Sequence, residues 1–77
     1  MRSRHNETRP QLALQVNGEV RALPHGANVR ELLVQLHIES PRVAVAVNRE
    51  VVPPSRWDVR ELQEGDRVEI LEAVGGG

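Results

Sequence analysis

Few residues of this chain are of a type that acts on a substrate, and their spacing does not assemble them into a reaction centre. His5, His25 and His37 lie far apart, with no HExxH or other ligand spacing, so no metal site is expected. Ser3, Ser40 and Ser55 lack the glycine-flanked elbow that exposes a hydrolytic serine. Glu61 and Glu64 fall in a charged stretch that reads as a solvated face rather than an acid–base pair. The absence of Cys removes disulfides, thiolate ligands and a thiol nucleophile. All ten basic residues are Arg, which removes Schiff-base and P-loop lysine chemistry and every side-chain amine. What remains is the end of the sequence, where Ala73-Val74 runs into Gly75-Gly76-Gly77. A terminal carboxylate can itself be the reacting group. Three extended glycines reach about 10 Å, carry no side chain to block a narrow cleft, and adopt backbone angles closed to other residues. A frayed end of small residues is the other reading of the same letters.

Positioning such a tail falls to one small domain, since 77 residues cannot support two cores. Hydrophobic residues make up 39% and charged residues 27%, enough apolar material to fold. Twelve Val, eight Leu, two Ile and six Ala give a β-leaning core. Trp57 is the only aromatic residue, so no stacking platform for single-stranded nucleic acid can be built. A net charge of −1 supplies no field for nucleic acid or an anionic membrane. No apolar run approaches the roughly 20 residues of a membrane span, and the start MRSRHNETRP has no signal-peptide core, so a cytoplasmic protein is expected.

Residues 1–11 carry no apolar period and read as a flexible extension; Glu7 interrupts Arg2, Arg4 and Arg9, which argues for a solvated tail over an RNA-binding arm. From Leu12 the alternation of Leu12, Leu14 and Val16, the Asn17-Gly18 pair and the return through Val20 and Leu23 predict a β-hairpin. Asn28 and Glu31 stand at capping-box spacing ahead of Val29, Leu32, Leu33 and Leu36, which predicts one helix over about 28–37. Ser40-Pro41 breaks the chain, Val43–Val47 is a strand with a valine face, and Asn48–Glu50 is a turn. Val51-Val52 is an edge piece stopped by Pro53-Pro54, and residues 55–62 are irregular or a short helical turn. Glu64-Gly65-Asp66 turns into a last strand from Arg67 to Val74. The order β-β-α-β-(β)-β predicts an α+β fold of the β-grasp type, a mixed sheet with one main helix across a face and the first and last strands parallel at its centre. The domain then spans 12–74 and the tail 75–77.

The ordered set of "AVN" at 46–48, "VVPPSRW" at 51–57, "EGDRVEI" at 64–70 and the terminal glycines resembles the ubiquitin-like sulfur carriers of thiamine biosynthesis, the ThiS family. The resemblance covers residues 12–77; the extension 1–11 and the third glycine, Gly75, depart from the family pattern. It implies that Gly77 is adenylated by an E1-like adenylyltransferase using ATP and Mg²⁺. Sulfur from a sulfurtransferase or cysteine desulfurase then makes the C-terminal thiocarboxylate, which donates to thiazole synthase. On the same resemblance Gly75 and Gly76 are expected to thread the tail, and the carrier is expected to bind no cofactor or metal of its own and not to be an enzyme. Free, it is expected to be a monomer. The implied docking face is the exposed side of the sheet near the last strand, with Glu69 and Glu72 as candidates. Trp57 either caps the core or anchors a partner, and both can hold. The same tail would serve the small subunit of molybdopterin synthase, against which "VVPPSRW" argues, or a conjugated ubiquitin-like modifier. A β-grasp nucleic-acid or protein-binding module without tail chemistry is a further reading; an RNA-binding form predicts a basic surface, which the net charge does not supply but a cluster of Arg42, Arg49, Arg56 and Arg60 would.

Overall fold

Alternation of Leu12, Leu14 and Val16 with polar or small residues forms strand β1 (Gln11–Val16), with these three side chains buried. Asn17 and Gly18 take φ of +50° and +86°, the two left-handed positions a two-residue hairpin turn demands. Strand β2 (Glu19–Pro24) returns antiparallel, from Val16 opposite Glu19 to Gln11 opposite Pro24. A computed structural model describes residues 10–40 and 42–72. Most of the expected extension, the Pro41 break, the last two residues of the predicted final strand and the glycine tail therefore lie outside the described residues. Gln11 does not belong to the extension. It pairs in β1, and the carbonyl of Pro10 accepts a hydrogen bond from His25 N at 2.9 Å.

Helix α1 (Val29–Gln35) starts where its capping box puts it. Asn28 Oδ1 accepts from Glu31 N at 2.8 Å, and Glu31 Oε1 accepts from Asn28 N at 2.9 Å. The helix ends earlier than the leucine period implies. Leu36 is the C-cap, His37 sits at φ +59°, and the amides of His37 and Ile38 donate to the carbonyls of Val34 and Leu33, both at 3.0 Å. This is the Schellman arrangement with histidine where glycine is usual. Leu36 and Ile38 still pack against the core from beyond the helix.

Strand β3 (Val43–Val47) buries its valines, and Asn48-Arg49 forms a second tight turn at φ +52° and +71° into β4 (Glu50–Val52). Glu50 thus belongs to the strand rather than to the turn. Pro53 and Pro54 stop the ladder, and a single 3-10 turn covers Pro54–Arg56. The segment that follows satisfies the open end of the helix. The carbonyls of Arg60 and Trp57 accept from Val29 N and Arg30 N at 3.0 and 3.1 Å.

Strand β5 (Arg67–Glu72) lies between β1, to which it is parallel, and β3, to which it is antiparallel, giving the order β2-β1-β5-β3-β4. Helix α1 covers one face, where Val29, Leu32 and Leu33 join Leu14, Leu23, Val45, Val47, Val68 and Leu62 in one cluster. No helix among the described residues is long and apolar enough to cross a membrane.

Candidate functional site: the end of the central strand and the open sheet face

The predicted reacting group, the Gly77 carboxylate, and the threading residues Gly75 and Gly76 lie outside the described residues. The structure does describe their approach, because β5 is the central strand and runs toward them. Its base is fixed by a polar knot. Asp66, 7% exposed, accepts from Asn48 Nδ2 at 2.9 Å and Gln63 N at 2.8 Å, while Asn48 Oδ1 accepts from Arg67 N at 2.9 Å. These bonds satisfy a carboxylate that burial would otherwise penalise. Asn48 of the "AVN" stretch and Asp66 of the "EGD" stretch are thus parts of one device that starts β5 in register.

Strand alternation decides which side chains stand on the open face of the sheet. Arg67, Glu69 and Leu71 face away from α1, together with Ala44 and Ala46 opposite Leu71 and Glu69, and Val51 opposite Ala46. Glu69 therefore stands on the open face, as its spacing from Val68 and Ile70 predicts. Glu72 does not share that face: it pairs with buried Val43 and has the parity of the core residues, exposed because it lies at the strand's end. The two carboxylates do not form one patch. Leu71, 73% exposed, and Val51, 74% exposed, are apolar members of the open face that sequence reasoning passed over. The odd-numbered alternation that placed Glu69 was sufficient to find Leu71.

Trp57 is 7% exposed, and its Nε1 donates to the carbonyl of Val52 at 2.9 Å. It caps the core between β4 and α1 and offers a partner little surface, the least of the three docking candidates. The Arg30 guanidinium lies 5.4 Å from the ring centroid and donates from Nε to Asp58 Oδ1 at 2.8 Å. That hydrogen bond outweighs the opposing desolvation and, with a lesser contribution from the positive charge, holds the Asp58 carboxyl below its ordinary value.

The remaining candidates are dispersed. Glu64 Oε1 accepts from Ala13 N at 3.0 Å, whereas Glu61 bridges to Asn28 through its backbone, so they do not act as a pair. Among the described residues no three His, Asp or Glu side chains converge. Arg56 and Arg60 line an open hollow of about 310 Å³ beside β4, with Glu50 in the same wall.

A mixed five-stranded sheet with parallel central strands and a single helix across one face is the ubiquitin-like β-grasp architecture. The chain belongs to the ThiS family, whose sequence signature matches residues 14–77. Over 66 residues it is 38% identical to a thiazole synthase of Paramagnetospirillum magneticum, covering 86% of this chain and 20% of that one, so the chain spans about a fifth of that relative's length. It is 34% identical over 65 residues to the sulfur carrier protein ThiS of Bacillus subtilis, covering 83% of this chain and 98% of that one. A thiamine biosynthesis protein (ThiS) from Geobacter metallireducens superposes with a TM-score of 0.74 at 35% identity, over 86% of this chain and all of that one.

Proposed function

We propose that this chain is the sulfur carrier of thiazole formation in thiamine biosynthesis and that Gly77 carries the sulfur. The observation that carries the reading is that the ThiS signature runs through Gly77. A carboxylate is a poor electrophile until one oxygen becomes part of a leaving group. An E1-like enzyme supplies that by adenylation: a Gly77 carboxylate oxygen bonds to the α-phosphorus of ATP and pyrophosphate departs. The outer sulfur of a persulfide on a sulfurtransferase or cysteine desulfurase then attacks the carbonyl carbon and AMP leaves. A thiol cleaves the resulting S–S bond, itself becoming a disulfide, and the thiocarboxylate remains. It is ionised at neutral pH and a better nucleophile than the carboxylate it replaces.

In this scheme the chain is substrate and donor rather than catalyst, and ATP, Mg²⁺ and the acid–base groups belong to its partners. Relatives that carry the name thiazole synthase and contain a matching segment support that enzyme as the acceptor of the sulfur. The open face around Glu69, Leu71 and Val51 is the docking surface, apolar at its centre and reached without disturbing the core. The reading assigns these steps to the cytoplasm. ATP–pyrophosphate exchange by the activating enzyme should depend on this chain. Exchange that proceeds equally without the chain would remove the carrier assignment.

A further inference from the structure

Strand β5 is held differently on its two sides. Toward β3 the antiparallel register continues to Glu72, opposite Val43. Toward β1 the parallel register stops at Val16 and Val68, because the chain leaves β1 at the Asn17-Gly18 turn. The carbonyls of Asp66 and Val68 accept from Gln15 N and Asn17 N, both at 2.9 Å, so even-numbered residues of β5 turn their peptide groups toward β1. Arg67, bonded to Asn48 through both N and O, turns toward β3. Ile70 is the next residue of the even series, and there the side chain of Asn17 takes over from backbone. Its Nδ2 donates to Ile70 O at 3.1 Å and its Oδ1 accepts from Ile70 N at 2.9 Å. A side-chain amide has the donor and acceptor of a peptide group, so it adds one rung to a ladder that β1 can no longer supply.

We propose that Asn17 is a positioning residue for the C-terminal tail: its side-chain amide holds Ile70 on the β1 side and thereby fixes the line on which the chain leaves the sheet. The inference rests on the reading of Gly77 as the reacting end. Gly77 is the seventh residue after Ile70, a reach of about 23 to 25 Å at full extension, so a small change of direction at the base displaces the carboxylate by ångströms. Adenylation requires reacting atoms about 3 to 3.5 Å apart in line, a tolerance that such a displacement exceeds. Two constraints meet at position 17, a φ of +50° and the amide rung. Glycine meets only the first, and aspartate keeps the acceptor for Ile70 N–H while losing the donor to Ile70 O.

The test compares Asn17→Gly, Asn17→Asp and Gly18→Ala with the parent. It reads amide exchange at Ile70 and Glu69, affinity for the activating enzyme, and single-turnover adenylation at saturating enzyme. Asn17→Gly should speed exchange at Ile70 about 10-fold or more and leave Glu69, whose amide has the parity that faces β3, unchanged. Its affinity should stay within about 2-fold of the parent while adenylation slows about 10-fold. Asn17→Asp should fall between the two. Gly18→Ala is strained at φ +86° with nothing within 4 Å of the added Cβ, so it should lower stability and spare the adenylation rate. Asn17→Gly adenylated at the parental rate would overturn the proposal. So would rate losses that follow melting temperature across the three variants instead of exchange at Ile70. A parent that is not adenylated at all overturns the carrier reading itself, a result distinct from either.

Discussion

A chain shortened to end at Gly75 is expected to keep its fold and lose activation. Among the described residues every buried apolar side chain lies between Leu12 and Ile70, and the last ladder pair is Val43 with Glu72, so removal of Gly76 and Gly77 takes nothing from these. The carboxylate, in contrast, withdraws by about 7 Å, two residues of extended chain. Misplacement by a single ångström can cost a reaction on the order of 100-fold, so ATP–pyrophosphate exchange should fall by more than that, to background. Thermal melts and ATP–pyrophosphate exchange on the same preparations check both halves. A truncated chain that sustains exchange would place the reactive group elsewhere. One that melts many degrees early would make the tail part of the domain.

The second large effect concerns the domain that carries the tail. Leu33 is 4% exposed on α1 and packs in the core cluster, so Leu33→Ala should destabilise by about 2 to 5 kcal/mol. That is a large share of the 5 to 15 kcal/mol typical of a domain, and a 77-residue chain has little reserve. Val34, its neighbour in sequence, is 66% exposed, and Val34→Ala should stay within about 0.5 kcal/mol of the parent. Urea melts of the two variants separate the buried from the open side of the helix. Coincident midpoints would mean that the facing of α1 is wrong.

Where a signal is local, the sequence carries the fold. Asn17-Gly18 between alternating runs and the Asn28 to Glu31 spacing each specify hydrogen bonds within a few residues, and both appear as expected. The helix end was not legible, because His37 takes the left-handed position without the glycine that would announce it. Arg49 at φ +71° hides the end of the second turn in the same way. The docking candidates show a different limit. Alternation fixes facing residue by residue and puts Glu69 on the open face, whereas the docking face expected from the resemblance also takes in Glu72, which lies on the other side of the strand. Least visible were the contacts made by the register between distant strands. Nothing in β1 or β5 alone says that Asn17 meets Ile70, 53 residues away, or that Asp66 is buried against Asn48. The approach to the tail is built from those contacts.

The central claim is that sulfur is carried on Gly77, and intact mass spectrometry tests it most directly. The full chain is incubated with the activating enzyme, ATP, Mg²⁺ and a persulfide sulfur donor, then weighed and fragmented. The account predicts a mass gain equal to the exchange of one oxygen for sulfur, located by fragmentation on Gly77, dependent on ATP and reversed by hydrolysis, in which water attacks the thiocarboxyl carbon and hydrosulfide leaves. A chain that forms the adenylate yet never gains that mass, or gains it on a residue other than Gly77, would contradict it.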